Sequence, residues 1–362
     1  MNAVVITGLG LVSAYGTSPA HGGVERFWNG LRANTLPVSE AHDGTARIDP
    51  GAVHGIAPER WFEVAIAEAL TQAQWRSNDE QPRLIVAAQA QPPHDSSRWN
   101  PLFAPSARAV SANAPIVVSN ACASALFGIE AARRLIASGA ARAVIVAGVS
   151  AANPYTLETL RAVKAVGASL ARPFDVSRDG IVIGEGAGAI LLESAEYAAA
   201  RGARALAKVA AVTASVGGRH SAASDDDAIV ACMLRAHALA GAPAIGYIHA
   251  HATGTVQGDA AELDAISRFV KHNEQESVAV SSHKGALGHL LHASAFPSVV
   301  AAVSVLQSGE VPPTPGLSEA RSTDGVALTP PDRSRAAPPI RAALVNAFGF
   351  GGSNASVVLT HS

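Results

Sequence analysis

The chain is poor in cysteine, with two in 362 residues, and in aromatic and charged side chains, at 5% and 15%. Two cysteines cannot build a disulfide framework, so the fold must rest on an apolar core. Lys plus Arg total 27 against 29 for Asp plus Glu. That near balance, with the cations dispersed, offers no basic face to nucleic acid or an anionic membrane. The opening Met1-Asn2-Ala3-Val4-Val5-Ile6-Thr7-Gly8 has no basic leader, and no apolar run is read as approaching a membrane span. These absences predict a cytoplasmic protein with reduced thiols that meets a small molecule or another protein. Gly8-Leu9-Gly10 followed by Ser13 lacks the third glycine of a dinucleotide fingerprint, which excludes that site.

What is present is apolar and periodic. Nearly half the residues are hydrophobic, enough for a large core in two domains or one double-sized one. Short β-branched runs alternate with alanine-rich helical segments. Strands are predicted at Ala3–Thr7, Leu84–Ala87, Ile116–Ser119, Ala143–Ala147, Ala187–Glu193, Ala205–Thr213, Gly246–His249, Val278–Ser281, Ala342–Asn346 and Ala355–Thr360. Several are almost continuously apolar, as in strands covered on both faces, which predicts a layered α/β fold. Leu126, Ile129, Ala132 and Ile136 form the stripe of a helix ending at Gly139. The chain reads as doubled, with residues 1–216 and 217–362 as halves joined at the polar Gly217–Asp227. Surface loops are expected at His94–Ala114 and Pro312–Pro339.

Cys122 is the most informative residue. In Val118-Ser119-Asn120-Ala121-Cys122-Ala123-Ser124 a strand gives way to a helix. Unpaired amides at a helix start favour an anion, so a thiol there is expected to be acidic and nucleophilic. Taken alone, the residue is better read as a buried structural cysteine. Cys232, in register with Ile229 and Met233, reads as core. His249 and His251, two apart, share a face if their strand persists. Thr253, Thr255, Asp259 and Glu262 follow them. A second strand-loop-helix run delivers His283, Lys284, His289 and His292. Asn346 to Asn354 form a glycine-dense loop whose amides can approach a ligand closely.

In combination these motifs resemble the β-ketoacyl-acyl-carrier-protein synthases. The carriers of the resemblance are Val5 to Ser13, the Cys122 motif, Arg172 through Gly188, the His251 motif, Lys284 to His289 and Phe348 to Asn354, in family order along the whole chain. The resemblance implies a thiolase fold, with duplicated βαβαβαββ halves in five αβαβα layers. It implies that Cys122 takes an acyl group from a carrier-protein thioester, and that His251 and His289 stabilise the enolate left when a malonyl thioester loses carbon dioxide. Lys284 discourages protonation of those histidines. The amides of Cys122 and Phe350 hold the oxyanion, with Phe348 and Gly349 in the same gating loop. Thr253 and Thr255 contact substrate, while Asp259, Glu262 and Asn346 support the site. No metal or organic cofactor is implied. The partners implied are acyl carrier protein and a second subunit, identical or related, paired through the strand before Cys122.

Departures from the family pattern point to a specialised role. Ser298 stands where the family carries a glutamate, and Pro297 forbids one helical hydrogen bond unless the helix starts later than usual. Phe103–Ala114 is a shortened lead-in to the cysteine. His249 and His283 replace smaller polar residues and are read as local hydrogen-bonding groups, and the acids Asp259 and Glu262 are also explained by a solvated helix start. Two alternatives follow: a non-condensing acyltransferase or chain-length-factor-like partner on the same fold, and a metallohydrolase using His249, His251, His283, His289 and His292.

Overall fold

The computed structural model describes residues 2–17, 22–37, 44–49, 52–76, 79–89, 111, 113–167, 170–217, 225–321, 323–329, 335–336 and 339–362. The expected loop His94–Ala114, with the shortened lead-in Phe103–Ala114 inside it, lies mostly outside the described residues, as do parts of Gly217–Asp227 and Pro312–Pro339.

The main sheet is built from β1 (Val4–Val12), β2 (Arg83–Ala87), β3 (Ile116–Val118), β4 (Ala143–Ser150), β5 (Gly186–Ser194), β6 (Ala207–Val216), β7 (Tyr247–His249), β8 (Val278–Ser281), β9 (Val326–Leu328), β10 (Ala342–Gly349) and β11 (Ser353–Thr360). Their spatial order is β9-β8-β7-β10-β11-β6-β1-β5-β4-β2-β3. From β1 to β5 the order is first, last, fourth, second, third. From β6 onward the same order recurs with the same strand directions, and β9 is added at the rim. Among the described residues, strands of the two sets pair where Val5 and Ile6 meet Lys208 and Ala207, whereas β6 pairs with β11 along most of its length. β6 thus pairs chiefly with a strand of the second set. The strand Val326–Leu328 was not anticipated, because it lies inside a segment that reads as loop.

Helices complete the layers. Between the two strand sets lie α2 (Ser124–Ala137) and α5 (Ala295–Ser308), each packed on strands of both. On one outer face α1 (Pro58–Gln72) covers β1, β5 and β4; on the other, α3 (Asp226–Leu239) covers β6 and β11 and packs against α4 (Val256–His272). The predicted stripe Leu126, Ile129, Ala132 and Ile136 is buried, and Gly139 follows it with φ of 78°. A helix that is apolar all round must be buried on all sides, and α5 is. Leu291–Ser308 is in fact long and apolar enough to cross a membrane by composition, but 83% of that window is buried inside the fold. Pro297 is the third residue of α5, where the missing N–H would have no intrahelical acceptor, so it costs no hydrogen bond.

Candidate active site

Cys122 lies in the turn between β3 and α2. Ala121 has φ of 48°, a left-handed conformation that a non-glycine residue adopts at a cost of roughly 1–2 kcal/mol. Ser124 holds the turn: its hydroxyl donates to the Ala121 carbonyl at 2.6 Å and accepts from Asn120 N at 2.8 Å. The thiol is not the acidic group expected from its place at a helix start. Burial pushes it up to about 11, against the pull of the Lys284 cation and its own backbone amide. Cys232 is core as read, its thiol directed at the Thr213 carbonyl.

β7 ends at His249, so the chain turns before His251 and the two histidines do not share a face as expected. His251 enters the cavity while His249 stays beneath it. Two buried carboxylates of α4 shape this turn. Glu262 accepts from the amides of His251 and Ala252 at 2.8 and 2.7 Å, and Asp259 from Thr253 and Gly254 at 2.9 and 3.1 Å and from Phe174 at 2.8 Å. Both acids are essentially inaccessible, so a solvated helix start does not account for them. Asn346 donates to Glu262 and accepts from Ser356, tying the loop to β10 and β11.

The short helix Lys284–Leu287 carries a buried lysine whose ammonium donates to the His251 carbonyl. Burial brings Lys284 down to about 8, opposed mainly by Glu262. Gly288 follows at φ 71°, where an added Cβ would sit 2.9 Å from Gly184 N and Val182 O. That contact fastens His289, whose amide donates to Val182 O and whose carbonyl accepts from Gly184 N. The imidazoles of His251 and His289 meet edge to face at 5.3 Å. Burial first and Lys284 second drive both well below the usual imidazole range, so both are neutral. His289 Nδ1 is bonded to Ser294 Oγ at 2.9 Å, and its buried Nε2 has no partner. Ser298 bonds back to the Ser294 carbonyl.

A cavity of about 450 Å3 brings these groups together. Cys122, His251, His289, Thr253, Thr255, Asp259, Glu262, Phe348, Gly349 and Phe350 line it; Lys284 and Asn346 stand behind its wall. Gly349 runs so close to the cysteine turn that a Cβ would lie 2.9 Å from Cys122 N. Phe348 packs edge to face on His251, and Phe350 is exposed at the mouth. Sequence reasoning gave no role to Arg178, Ser294 or Tyr247. Arg178 donates to the carbonyls of Thr255 and Val256, so the first-half motif Arg172 to Gly188 braces the second-half loops. Among the described residues, no group of three or more His, Cys, Asp or Glu is arranged to hold a metal ion, and both ring nitrogens of His249 are engaged by Tyr247 and His283.

Comparison with known proteins gives the same reading. Residues 111–198 match the beta-ketoacyl synthase N-terminal domain and 206–318 the C-terminal domain. The chain is 35% identical over 254 residues to a 3-oxoacyl-[acyl-carrier-protein] synthase 2 of Vibrio cholerae, covering 67% of this chain and 61% of that protein. It is 30% identical over 425 aligned positions to the Rhizobium meliloti protein of the same name, covering 99% of each. A beta-ketoacyl synthase from Burkholderia phymatum superposes with a TM-score of 0.82 over both whole chains at 24% identity. A type II polyketide ketosynthase solved with its acyl-carrier protein and a bound hexaketide superposes with a TM-score of 0.86 at 23% identity, covering 100% of this chain and 99% of that one. The fold is therefore the thiolase fold, and the chain belongs to the beta-ketoacyl synthase family.

Proposed function

We propose that this protein condenses an acyl group with a malonyl-type thioester, both delivered on acyl carrier protein, in specialised polyketide or fatty-acid-like biosynthesis. The observation that carries the reading is one cavity holding Cys122 opposite a neutral imidazole pair. In the first half-reaction the cysteine sulfur attacks the acyl thioester, its proton passes to the departing carrier thiol, and an acyl-cysteine forms. In the second, the malonyl thioester loses carbon dioxide and the electron pair forms an enolate. His251 and His289, as neutral N–H donors, stabilise its oxygen. The enolate carbon attacks the acyl-cysteine through an oxyanion held by the Cys122 and Phe350 amides. Collapse expels the thiolate, which is reprotonated. Thr253 and Thr255 line the approach for the carrier's arm, while Asp259, Glu262 and Asn346 fix the His251 loop. We place the protein in the cytoplasm, as a homodimer or paired with a related subunit, and divide its halves ahead of Ala207.

Intact-protein mass spectrometry with acyl-carrier thioesters tests this. The acyl mass is expected on Cys122 and never on Cys232, and Cys122→Ala abolishes it; an increment that survives the substitution ends the nucleophile assignment. His251→Ala and His289→Ala are expected to load acyl groups yet release no carbon dioxide. Ser298, in place of the family glutamate, favours one second reading: acyl transfer to another nucleophile without condensation. Wild-type protein that loads and transfers acyl groups but never decarboxylates a malonyl thioester would establish it.

A further inference from the structure

Beneath the cavity floor lies a polar chain that the condensation chemistry does not use. Tyr247 Oη is 2.7 Å from Ser281 Oγ and 2.7 Å from His249 Nδ1, and His249 Nε2 is 2.9 Å from His283 Nδ1. The two imidazoles lie nearly parallel, at 18° and 5.2 Å between centroids. All four residues are fully buried; Tyr247 and His249 lie on β7, Ser281 ends the neighbouring β8 as the register partner of His249, and His283 follows two residues later, ahead of the short helix Lys284–Leu287. The chain ends at His283 Nε2, which is buried and has no partner.

The protons in such a chain have only two ordered arrangements. Running one way, every N–H and O–H up to the histidines finds an acceptor, but His283 is left with an unpartnered buried N–H. Running the other way, His283 Nδ1–H donates to His249 Nε2, His249 Nδ1–H donates to Tyr247 Oη, and Tyr247 donates to Ser281. That order leaves the His283 Nε2 lone pair bare and turns the Ser281 hydroxyl proton, which can rotate about its C–O bond, away from the chain, whereas the first order fixes an N–H of a rigid ring without an acceptor. The adjacent Lys284 cation also favours that lone pair over an N–H dipole of the same sign.

Resting on the condensing-enzyme reading, we propose that Ser281, Tyr247, His249 and His283 form a proton-ordered relay, with both imidazoles held as Nδ1–H tautomers, that positions His251 and Lys284 for the enolate step. His249 precedes His251 by two residues and His283 directly precedes Lys284, so the relay locks together the two strand ends that carry these groups. Cys122 stands on the separate β3–α2 turn. The α5 helix, which bears Ser298 in place of an acid, packs on the same β7 strand. These four residues are positioning residues; none lines the cavity.

The test combines 15N-histidine NMR of the whole protein with half-reaction kinetics of Tyr247→Phe, which deletes one hydroxyl. Signals are assigned with His249→Gln and His283→Gln. Both imidazoles are expected as neutral Nδ1–H forms in the wild type; an Nε2–H tautomer at His283 overturns the relay. In Tyr247→Phe the kcat for malonyl-carrier decarboxylation is expected to fall about tenfold, with KM and acyl loading of Cys122 changed by less than about twofold. Loading and decarboxylation falling together, or neither changing, also overturns it. If the wild type never decarboxylates, the condensing reading fails on its own, and the tautomers still decide whether the relay exists.

Discussion

Cys122 sits between two opposed effects. Burial penalises the thiolate, and the buried Lys284 cation partly restores it, leaving the thiol at about 11. Removing the cation with Lys284→Met takes away the stabilising charge, so the thiol must rise further. Alkylation of Cys122 by iodoacetamide is expected to slow at pH 7, where Lys284 is still charged, by roughly tenfold for each unit of rise, and the difference is expected to shrink as the pH passes about 8. An unchanged alkylation profile would show that Lys284 acts on the histidines alone. For His251 and His289 the sign is different. Their imidazoles are held neutral below the usual range, so protonation of His251 and His289 should contribute no loss of decarboxylation as pH falls from 7.5 through 6.5, and any limb near 7 belongs to Asp259, which burial raises to about 7. An acid limb centred on the ordinary imidazole value and traced to either histidine would contradict that environment.

Among the elements, the segment Arg172 to Gly188 lines part of the cavity through Asp179, Gly180 and Ile181 and also braces the loops that carry the reacting groups. Its anchor is Asp175, fully buried, whose carboxylate accepts from Ser177 N and Oγ, Ser318 N and Oγ, and Glu319 N. Burial pushes the carboxyl up, but these donors override it and hold it well below the carboxylate range. Asp175→Asn replaces an ionised acceptor by an amide that cannot accept at both ends, and is expected to cost about 2 kcal/mol or more at pH 7. A group with a depressed folded pKa stabilises above its unfolded value of about 4 and loses that contribution as pH falls through the folded value. The gap in stability between wild type and variant should therefore narrow below about pH 4. Denaturant melts across that range read it; a gap that widens on acidification would refute the assignment.

For the whole molecule, the strand nearest the nucleophile is also the rim of the sheet. β3 ends the strand order, and Ile116 and Val117 are 39% and 55% exposed although the sequence reads as a buried strand. An apolar edge that no described residue pairs is a template for another strand. A two-fold partner pairing there would cover it and brace the Cys122 turn from outside. Val117→Arg is expected to convert a dimer to monomer in light scattering and to reduce acyl loading. A wild-type chain that stays monomeric and fully active at micromolar concentration, alone and beside co-expressed relatives, would remove the argument.

Periodicity in the sequence determined the layered α/β class, the α2 stripe and the core assignment of Cys232, because these depend on local spacing; the family resemblance in motif order pointed to Cys122, Lys284, His251 and His289, which the structure gathers in and behind one cavity wall. Only the tertiary structure decided the rest. The acidity of Cys122 reverses because desolvation, a property of everything packed around it, outweighs the helix start. Asp259 and Glu262 become loop anchors because packing leaves them buried against the amides of residues 251–254 and, for Asp259, of the distant Phe174. Ala207–Val216 joins the second strand set through pairing with the last strand of the chain, which no local pattern encodes. His249 and His283, unremarkable two motifs apart, become one hydrogen-bonded pair because β7 and β8 lie side by side.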